Sequence, residues 1–495
     1  MNKQINYILA SSSNHVIELN KLTTNNMVIM GSNTFNLLNN KPLENRLNIV
    51  ITSKYEEYQN QSNLIFLSSI ENAIYYGQIN PSINTIWIIG SEAIRYNIAS
   101  EESYLYEQID KIKPDNIYIN IEIESKIQDK ISLSDQFFKY IEENYNSILI
   151  ETNNYYDEIS NQELKCDYFH YTIINKEIIN IKNIIHSEFN YLNLLKNTLL
   201  YGSFKATRND YTWSDFGSQI EFNMKDGFPL LTTKKMPFKM IFEELMFFIN
   251  GYTDNKILKE KNIHIWDLNT TSEFIESNKK YYQIQNKLLD EDDMGPMYGF
   301  QWRHYNANYD KTNNIENEIM YKNLGIDQLD KVINELLNDP FSRRILMTSF
   351  NPEQVEYGVL YPCHSLIIQF YCTQTIDNNL NVSIKMYQRS ADLFLGLPFN
   401  IASTALLLNI ICDYLNKKSN NYIYHPDRVI ITLGDTYIYQ SHINAVLLQL
   451  QNQPKKFPKL AIKINYYENI TDYTFNDMIL EDYNHCGLIK AKMIA

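Results

Sequence analysis

The sequence predicts a fold of the α/β plus α+β type in two domains, the first built on a doubly wound, mostly parallel sheet. Three observations support this prediction. The chain has 495 residues, too many for one ordinary domain and enough for two that each bury a core. Short β-branched runs alternate with helix-length segments along the first part. A helical period resumes at His186, after a stretch with little amphipathic pattern.

The first domain is predicted to span residues 1–175. Its alternating strands and helices are "INYILASS", "NNMVIMG" with "SNTFNLLNN", "RLNIVITS", "SNLIFLSS" with "IENAIYYGQI", "NTIWIIG" with "SEAIRYNIAS", and "DNIYINIEI". Strands separated by helices favour parallel pairing. The last two runs, "SILIETNNYYDE" and "CDYFHYTIIN", predict an antiparallel pair that closes the domain.

Residues 176–185 are predicted to form a linker, and residues 186–495 the second domain. "HSEFNYLNLLKNTLLYG" predicts its first helix, because leucines recur along one helical face. "FPLLTTKKMPFKMIFEELMFFINGY" predicts a loop that leads into a very apolar helix. "LNVSIKMYQR" and "PDRVIITLGDTYIY" predict strands.

Composition and charge exclude several classes of protein. The formal charge is −14, and residues 1–175 hold 12 Lys and Arg against 22 Asp and Glu, which disfavours nucleic-acid binding. No apolar run reaches the length needed to span a bilayer, and the N-terminus lacks the pattern of a secretory signal, so we expect a cytoplasmic protein. The five cysteines are scattered without a CxxC pair, which favours reduced thiols and predicts no metal site.

A cysteine among polar and basic residues indicates a reactive thiol. In "YPCHSLIIQFY", Cys363 is predicted to lie at a strand start and face a cleft; a buried structural cysteine is the alternative. Four arginines in polar segments suit a phosphate, although each alone could be a solvated side chain: Arg208, Arg343, Arg344 and Arg389. Their charge should lower the pKa of a nearby thiol and so activate it as a nucleophile.

Other polar residues interrupt apolar segments. Glu244 in "FEELMFFIN" is either satisfied by a structural partner or tuned for proton transfer. Asp392 and Asn400 come where a strand gives way to a helix. The Asn400 amide could bind a pyrimidine edge or, alternatively, cap that helix.

The second domain closely resembles thymidylate synthase. The blocks that carry the resemblance are "FPLLTTKK", "IWDLN", "GPMYGFQWRHY", "SRRI", "PCHS", "QRSADLFLGLPFNIAS" and "GDTYIYQSHI", over nearly all of residues 186–495. The resemblance implies the α/β fold of that family and an obligate homodimer. It also implies reductive methylation of dUMP to dTMP with 5,10-methylenetetrahydrofolate, yielding dihydrofolate, and no partnership with DNA or membranes.

The resemblance assigns roles to residues that match the motifs. Cys363 would add to carbon 6 of uracil, and the proton transfers would fall to Glu244, Tyr298 and His364. The nucleotide would be bound by Arg208, Gln388, Arg389, Ser390, Asn400 and Tyr439, with Arg343 and Arg344 of the partner subunit. The folate would lie against Lys234, Ile265, Trp266, Leu360, Asp392, Gly396, Phe399 and Ala495.

Three features depart from that family's pattern. Tyr437 stands where the family has a histidine near the ribose, and Tyr361 replaces a small residue or proline before the Pro-Cys pair. The loop from Arg208 to Gly217 is one residue short. None of these changes removes a group that makes or breaks bonds.

The first domain resembles dihydrofolate reductase through "NNMVIMGSNTF", "KPLENRLNIVITS", "TIWIIGSEAIRY" and "CDYFHYTIIN". Thr34 and Arg46 are retained, but the segment that carries the family's pterin-binding acidic residue is missing between Val16 and Thr24. Gly90 lacks its following glycine, and Ser32 replaces a basic residue that meets the cofactor phosphates. The resemblance therefore implies little or no reductase activity, and NADPH is needed only if the domain is active.

Four alternatives remain open. A fully bifunctional enzyme would oxidise NADPH with dihydrofolate. A pyrimidine hydroxymethylase would share the cysteine and arginines, but Asn400 favours uracil. A non-catalytic nucleotide- or RNA-binding protein is disfavoured by Cys363 and Glu244. A cysteine hydrolase using Cys363 and His364 is disfavoured because adjacent strand residues point to opposite faces.

Overall fold

The computed structural model divides the chain into two compact units, Met1–Asn183 and Ile184–Ala495. The helix predicted from "SEAIRYNIAS" and the linker predicted for residues 176–185 lie outside the described residues. The described residues are 4–9, 23–89, 116–123, 145–157, 162–173, 186–207, 210–279, 283–284, 287–315, 318–375 and 378–494.

The first unit contains an eight-stranded sheet in the order β4-β3-β2-β5-β1-β6-β8-β7. Strands β1 to β6 pair in parallel, whereas β8 runs antiparallel to both β6 and β7. The predicted mostly parallel sheet with an antiparallel end is thus confirmed. Its strands are β1 (Gln4–Leu9), β2 (Met27–Gly31), β3 (Leu47–Ile51), β4 (Leu64–Leu67), β5 (Thr85–Ile89), β6 (Asn116–Ile123), β7 (Tyr145–Asp157) and β8 (Gln162–Ile173).

The core of this unit explains its apolar runs. Four consecutive residues of β2 and all four of β4 are buried, as expected for parallel strands covered on both faces. Phe35 packs edge-on against Phe66 with ring centroids 5.7 Å apart. The described helices are α1 (Ser32–Leu37) and α2 (Ile70–Ile79), and the Ser69 side chain caps α2 by accepting a hydrogen bond from the Asn72 amide.

The second unit is built on a mixed sheet in the order β14-β15-β16-β17-β10-β9, with β11 also paired to β17. Only β16 and β17 pair in parallel among these described strands. The sheet strands are β9 (Ser203–Ala206), β10 (Tyr211–Phe216), β11 (Gln219–Asn223), β14 (Leu346–Thr348), β15 (Ile367–Gln374), β16 (Asn379–Asp392) and β17 (Ile423–Tyr439). Two small pairs are β12 (Gln283–Ile284) with β13 (Lys287–Leu288), and β18 (Lys459–Ile462) with β19 (Met478–Glu481).

Helices cover this sheet and one another. The described helices are α3 (Glu188–Tyr201), α4 (Phe238–Ile249), α5 (Lys256–Glu260), α6 (Ser272–Ser277), α7 (Gly299–His304), α8 (Glu318–Tyr321), α9 (Gln328–Asn338), α10 (Gly396–Lys418) and α11 (Ile443–Gln451). Helix α4 packs against α7 and α10, so nearly all of its side chains are buried. This explains why its sequence is apolar all round.

Among the described residues, one helix, α10, is long and apolar enough to cross a membrane by length and composition. The expectation that no segment passes this test is therefore wrong. Most of α10 is buried within the unit, where it packs on β16 and β17. Its apolar character thus matches that of the central helix of a folded domain.

Candidate active site

Cys363 lies in the loop of residues 358–366, here called the thiol loop, and Arg389 of β16 holds this loop in place. Cys363 precedes the first residue of β15 by four positions, so the prediction that it begins the strand is wrong. The Arg389 amide donates to the Cys363 carbonyl at 2.9 Å. The Arg389 guanidinium donates to the carbonyls of Pro362, at 2.9 Å, and Tyr361, at 2.8 Å. One residue thus holds three consecutive carbonyls around the thiol, two through its side chain and one through its amide.

The electrostatic environment of the thiol is a balance of two opposing effects. Burial raises the pKa of the Cys363 thiol, and the Arg389 guanidinium lowers it. Arg389 Nη2 lies 3.7 Å from Cys363 Sγ, yet the net shift is upward. The expectation that arginines lower the pKa of this thiol is therefore wrong for the single chain, because desolvation outweighs one guanidinium.

Tyr298 connects the thiol loop to the helical layer. Its hydroxyl accepts a hydrogen bond of 2.9 Å from the Cys363 amide. Its backbone has φ 40° and ψ −104°, a strained conformation for a non-glycine residue, of the kind that clusters at functional sites. Gly299 follows because a Cβ there would lie 2.3 Å from the Phe248 carbonyl oxygen. The strain therefore occurs where α7 packs directly on the backbone of α4.

His364 is stacked on Tyr298 and is held neutral. The two ring centroids are 4.5 Å apart, and His364 Nδ1 lies 3.0 Å from the Ser365 hydroxyl oxygen. Burial lowers the pKa of His364 to about 4. The neutral ring contacts Tyr298 and Ser365, so the described contacts contain no thiol–imidazole pair of the kind that a cysteine hydrolase needs.

Glu244 on α4 supplies a carboxyl group that titrates near neutrality. Its side chain is buried, and Trp266 Nε1 donates to Glu244 Oε1 at 2.9 Å. Burial raises the pKa of Glu244 to about 7, and the Trp266 hydrogen bond opposes this shift. The Trp266 ring also packs 5.8 Å from that of Tyr298. A continuous set of contacts thus connects the carboxyl, indole and phenol to the thiol loop.

Strand β16 carries three of the predicted ligand-binding residues on one face. Side chains alternate along a strand, so Gln388, Ser390 and Asp392 share that face. Gln388 Nε2 donates to the Ser390 carbonyl at 3.1 Å. Gln388 Oε1 is buried, and it accepts no hydrogen bond from the described residues. A buried acceptor without a partner is a position where a ligand could donate.

Asn400 lies within α10. The helix begins at Gly396, four residues earlier, so the alternative that Asn400 caps it is wrong. The Asn400 side chain is largely buried and forms no hydrogen bond with the part of the chain that the structure describes. Its amide therefore keeps both a donor and an acceptor for a ligand.

Two phenols follow on β17. Tyr437 pairs with Asp392 in the strand register, and its ring lies 5.1 Å from that of Tyr439. Burial raises the pKa of both phenols, and Ser390 donates a hydrogen bond that partly offsets the shift for Tyr437. Both phenols therefore stay neutral at physiological pH.

Three of the four predicted arginines lie in the described residues. Of these three, Arg389 is the one with hydrogen bonds to the thiol loop. Arg343 and Arg344 are exposed directly before β14, and neither forms an ion pair with a described residue. Arg208 and the terminal Ala495 lie outside the described residues.

Two of the predicted folate residues, Asp392 and Lys234, contact the residues directly before α10. Asp392 Oδ1 accepts hydrogen bonds from the amides of Phe394, at 2.9 Å, and Leu395, at 3.1 Å. Lys234 is buried, donates to the Phe394 carbonyl, and lies 3.8 Å from the centre of the Phe394 ring. Burial lowers the pKa of Lys234 to about 7, and Asp392 opposes this shift. Lys234 is thus turned inward in this structure.

The remaining folate candidates occupy neighbouring positions. Ile265 precedes the buried Trp266 and is half-buried itself. Leu360 is half-buried in the thiol loop. Gly396 and Phe399, in the first turns of α10, are also half-buried. All four therefore lie on segments that contribute other candidate site residues.

Sequence reasoning missed Glu188, the first residue of α3. Its fully buried carboxylate accepts hydrogen bonds from the amides of Thr232, at 3.0 Å, and Thr233, at 2.9 Å. Both threonine hydroxyls also donate to it, each at 2.6 Å. This clamp fixes the loop that leads into Lys234. An acidic residue in a first helical turn is common, so the sequence carried no distinctive signal for it.

Comparison with known proteins covers both units. A family model described as dihydrofolate reductase matches residues 4–171, and one described as thymidylate synthase matches residues 189–495. A bifunctional dihydrofolate reductase-thymidylate synthase of Paramecium tetraurelia is 33% identical over 474 residues, covering 96% of this chain and 92% of that protein. The maize bifunctional protein (Zea mays) is 32% identical over 94% of this chain and 88% of its own length.

A single-activity relative matches the second unit. The thymidylate synthase of Homo sapiens is 40% identical over 309 residues, covering 62% of this chain and 91% of that protein. The match with both family models and with two-activity relatives extends along nearly the whole chain. The chain therefore belongs to the family of bifunctional dihydrofolate reductase–thymidylate synthases.

Proposed function

We propose that the second unit methylates dUMP to dTMP with 5,10-methylenetetrahydrofolate through a covalent bond from Cys363. The observation that carries this proposal is the continuous set of contacts from Cys363 through Tyr298 and Trp266 to Glu244. It places a nucleophile and a carboxyl group of pKa about 7 within one buried layer. A nucleophile and a proton-transfer group are the two functions that this reaction requires of side chains.

In this proposal Cys363 Sγ adds to carbon 6 of the uracil, and the ring electrons move to carbon 5. Carbon 5 then attacks the methylene carbon of the folate, whose two bonds to folate nitrogens break as the carbon is transferred, and carbon 5 loses its proton. A hydride from the tetrahydrofolate ring reduces the transferred carbon to a methyl group, which leaves dihydrofolate. The bond from Cys363 to carbon 6 breaks in the last stage, so the thiolate is regenerated.

Glu244 would move protons to and from the pyrimidine, directly or through water. A carboxyl of pKa about 7 is present in both protonation states at neutral pH, so it can both donate and accept. Tyr298 and His364 would support this as neutral hydrogen-bonding groups. The low pKa of His364, about 4, supports a neutral ring in that role.

Arg208, Arg389 and Ser390 would bind the nucleotide phosphate, and Gln388 and Asn400 the uracil. The buried Gln388 Oε1 and the Asn400 amide support this, since the described residues leave them free for a ligand. Tyr439 would contact the ribose. Tyr437, beside Tyr439, is a second phenol that would line this pocket.

We propose that the protein acts as a homodimer, with Arg343 and Arg344 reaching the phosphate of the partner subunit. Three exposed apolar side chains share one face of the sheet in this unit: Leu346 (45% exposed), Ile367 (47%) and Tyr371 (58%). A sheet face of this kind is suited to burial against a second copy. The two exposed arginines directly precede β14, the edge strand of this sheet.

The folate would bind beside Asp392 and the start of α10. Asp392 Oδ1 holds two backbone amides, whereas Oδ2 forms no hydrogen bond with the described residues. Oδ2 can therefore accept from a nitrogen of the folate ring. Trp266, Ile265, Leu360, Gly396 and Phe399 would supply the apolar contacts. Lys234 would have to turn outward to meet the glutamate tail of the folate. The terminal Ala495 would close over the bound folate.

We further propose that the first unit has lost reductase activity. The missing segment before Thr24 supports this, as does Ser32, which offers no positive charge to the phosphates of NADPH. Arg46 is engaged inside the unit, where it donates to the Glu44 carbonyl at 2.8 Å and to the Thr23 hydroxyl. Ser32 and Arg46 therefore do not fit the phosphates of NADPH.

A fully bifunctional enzyme is the second candidate. It is favoured by the reductase family match over residues 4–171 and by relatives that carry both names. The two candidates differ in a single measurable property, the oxidation of NADPH by dihydrofolate.

One experiment tests both statements. Tritium release from 5-tritiated dUMP is measured with 5,10-methylenetetrahydrofolate for wild type, Cys363→Ala and the control Cys486→Ala. We expect release by wild type and Cys486→Ala and none by Cys363→Ala. NADPH oxidation with dihydrofolate is followed on the same wild-type sample and should be absent. No release by wild type overturns the synthase proposal, and NADPH oxidation overturns the loss of reductase activity.

A further inference from the structure

A buried histidine outside the described catalytic contacts joins two segments of the second unit. His442 lies in the short turn Gln440–His442 between β17 and α11 and is fully buried. Its Nε2 lies 2.7 Å from the carbonyl oxygen of Lys492, in the C-terminal segment. A carbonyl can only accept, so Nε2 carries a proton. The other ring nitrogen, Nδ1, lies 3.8 Å from Asp392 Oδ1.

The C-terminal end of the chain is held through this histidine. Upstream, the Cys486 amide donates to the Thr232 carbonyl, and the Gly487 carbonyl accepts from the Lys235 amide. Within the described residues 488–494, the contact with His442 is the one hydrogen bond present. A segment with a single such tether can open locally at little cost in free energy.

Asp392 lies near Lys234 and His442. Lys234 comes from the loop after Thr233, and burial lowers its pKa to about 7 although the Asp392 carboxylate opposes this shift. His442 approaches from the other side, with the rings of Phe394 and Tyr439 packed against it at 5.7 and 5.4 Å. Burial lowers the pKa of His442, but Asp392 and the Lys492 carbonyl outweigh this and raise it, while Lys234 lowers it.

We propose that His442 is a positioning residue that couples the C-terminal segment 488–494 to Asp392. When a folate engages Asp392, the carboxylate is fixed, and a His442 ring that carries a proton on both nitrogens closes the gap of 3.8 Å and donates from Nδ1 to Asp392 Oδ1. The same ring then holds the Lys492 carbonyl more firmly at Nε2. Folate binding and docking of the segment thus reinforce each other, as linkage requires. This inference rests on the proposed synthase function, in which Asp392 contacts the folate.

The two ring nitrogens can be tested separately by two amide substitutions. The amide nitrogen of His442→Gln can occupy the position of Nε2 and keep the contact with Lys492. The amide of His442→Asn can occupy the position of Nδ1 and face Asp392, but it is too short to reach Lys492. Both substitutions therefore break the coupling: His442→Asn loses the tether to Lys492, and His442→Gln keeps the tether but loses the group that faces Asp392. The exposed His425, which bonds Asn379, provides the control His425→Asn.

Deuterium exchange of segment 488–494 is measured in the full chain, with and without dUMP plus dihydrofolate. Wild type and His425→Asn should show slower exchange on binding, and neither His442→Asn nor His442→Gln should. Without ligand, His442→Gln should exchange at the wild-type rate, because its tether to Lys492 remains, and His442→Asn should exchange faster. In tritium-release assays, His442→Asn should raise the KM for 5,10-methylenetetrahydrofolate about tenfold, with less than about a twofold change in the KM for dUMP.

Each outcome decides the inference. It is overturned if His442→Asn keeps wild-type protection of the segment and a wild-type folate KM. If His442→Asn fails to fold, two other results overturn it: the wild-type segment gains no protection on ligand binding, or His442→Gln gains the full wild-type protection. If wild type releases no tritium, the synthase proposal fails and this inference fails with it. Release by wild type combined with an unaltered His442→Asn overturns the inference alone.

Discussion

The hydrogen bond from Trp266 to Glu244 allows a direct test of the proposed proton-transfer group. Trp266→Phe keeps an aromatic ring at this position but removes the indole N–H that donates to Glu244 Oε1 at 2.9 Å. That hydrogen bond lowers the pKa of Glu244 against the larger effect of burial, which raises it to about 7. Removing the donor therefore favours the protonated carboxyl, and the pKa of Glu244 should rise.

The size of the shift follows from the strength of the bond. A hydrogen bond to a charged group contributes about 1.5–3 kcal/mol, and one pKa unit corresponds to about 1.4 kcal/mol. Its loss should raise the Glu244 pKa by about one to two units, from about 7 towards 8 or 9. If the ionised form accepts a proton during turnover, the acidic limb of the profile of kcat against pH moves to higher pH by the same amount.

The assay is tritium release from 5-tritiated dUMP at saturating substrates between pH 5.5 and 9.5. Trp302→Phe is the matched control, because Trp302 is buried and its indole N–H has no hydrogen-bond partner among the described residues. Its profile should keep the wild-type midpoint. An unshifted midpoint in Trp266→Phe would refute the assignment of this ionisation to Glu244, and an equal shift in Trp302→Phe would attribute it to loss of packing.

Three further predictions concern stability and assembly. The folded-state pKa of Glu244, about 7, exceeds its ordinary value of 4.5, so the unfolding free energy of wild type falls as the pH rises from 4.5 to 7. Glu244→Gln has no such ionisation. In urea unfolding its free energy should exceed that of wild type by about 3 kcal/mol at pH 8 and should equal it at pH 4.5. Glu188→Gln should lower the unfolding free energy by about 2–4 kcal/mol in the same assay, because an NH₂ group then faces the Thr233 donors; an unchanged urea midpoint contradicts this. Mixed and reassociated Cys363→Ala and Arg344→Ala chains should recover about a quarter of wild-type tritium release, since half of the dimers then contain one intact site; no recovery argues against an arginine shared across subunits.

Much of the fold could be predicted from the sequence, because a strand buried on both faces appears as an unbroken run of apolar residues. The runs around β2 and β4 are apolar throughout, and their flanking turn residues set their limits. Cys363 and Glu244 could be predicted as candidates for a different reason. Each is a polar or reactive group in a segment where packing alone does not call for one.

The errors concern properties that depend on three-dimensional surroundings. The direction of the Cys363 pKa shift depends on whether desolvation, which raises the pKa, outweighs the Arg389 guanidinium, which lowers it. The spacing of residues in the sequence does not tell how deeply the thiol is buried. Asn400 sits inside α10 because the helix starts already at Gly396. Glu188 and His442 were missed because no local pattern indicates their partners: Thr232 lies 44 residues from Glu188, and Lys492 lies 50 residues from His442.

The charges of the second unit indicate where activation of the thiol must come from. Burial shifts Cys363, Glu244, His364 and Lys234 each towards its neutral form. Arg389 is already engaged with two carbonyls of the thiol loop, so the described single chain offers the thiol one guanidinium only. In the proposed homodimer, the exposed arginines before β14, which form no ion pair with a described residue, would add positive charge at the nucleotide phosphate of the partner subunit. On this argument the reactive thiolate belongs to the nucleotide-bound dimer, and a chain that cannot dimerise should have a correctly folded but unreactive Cys363.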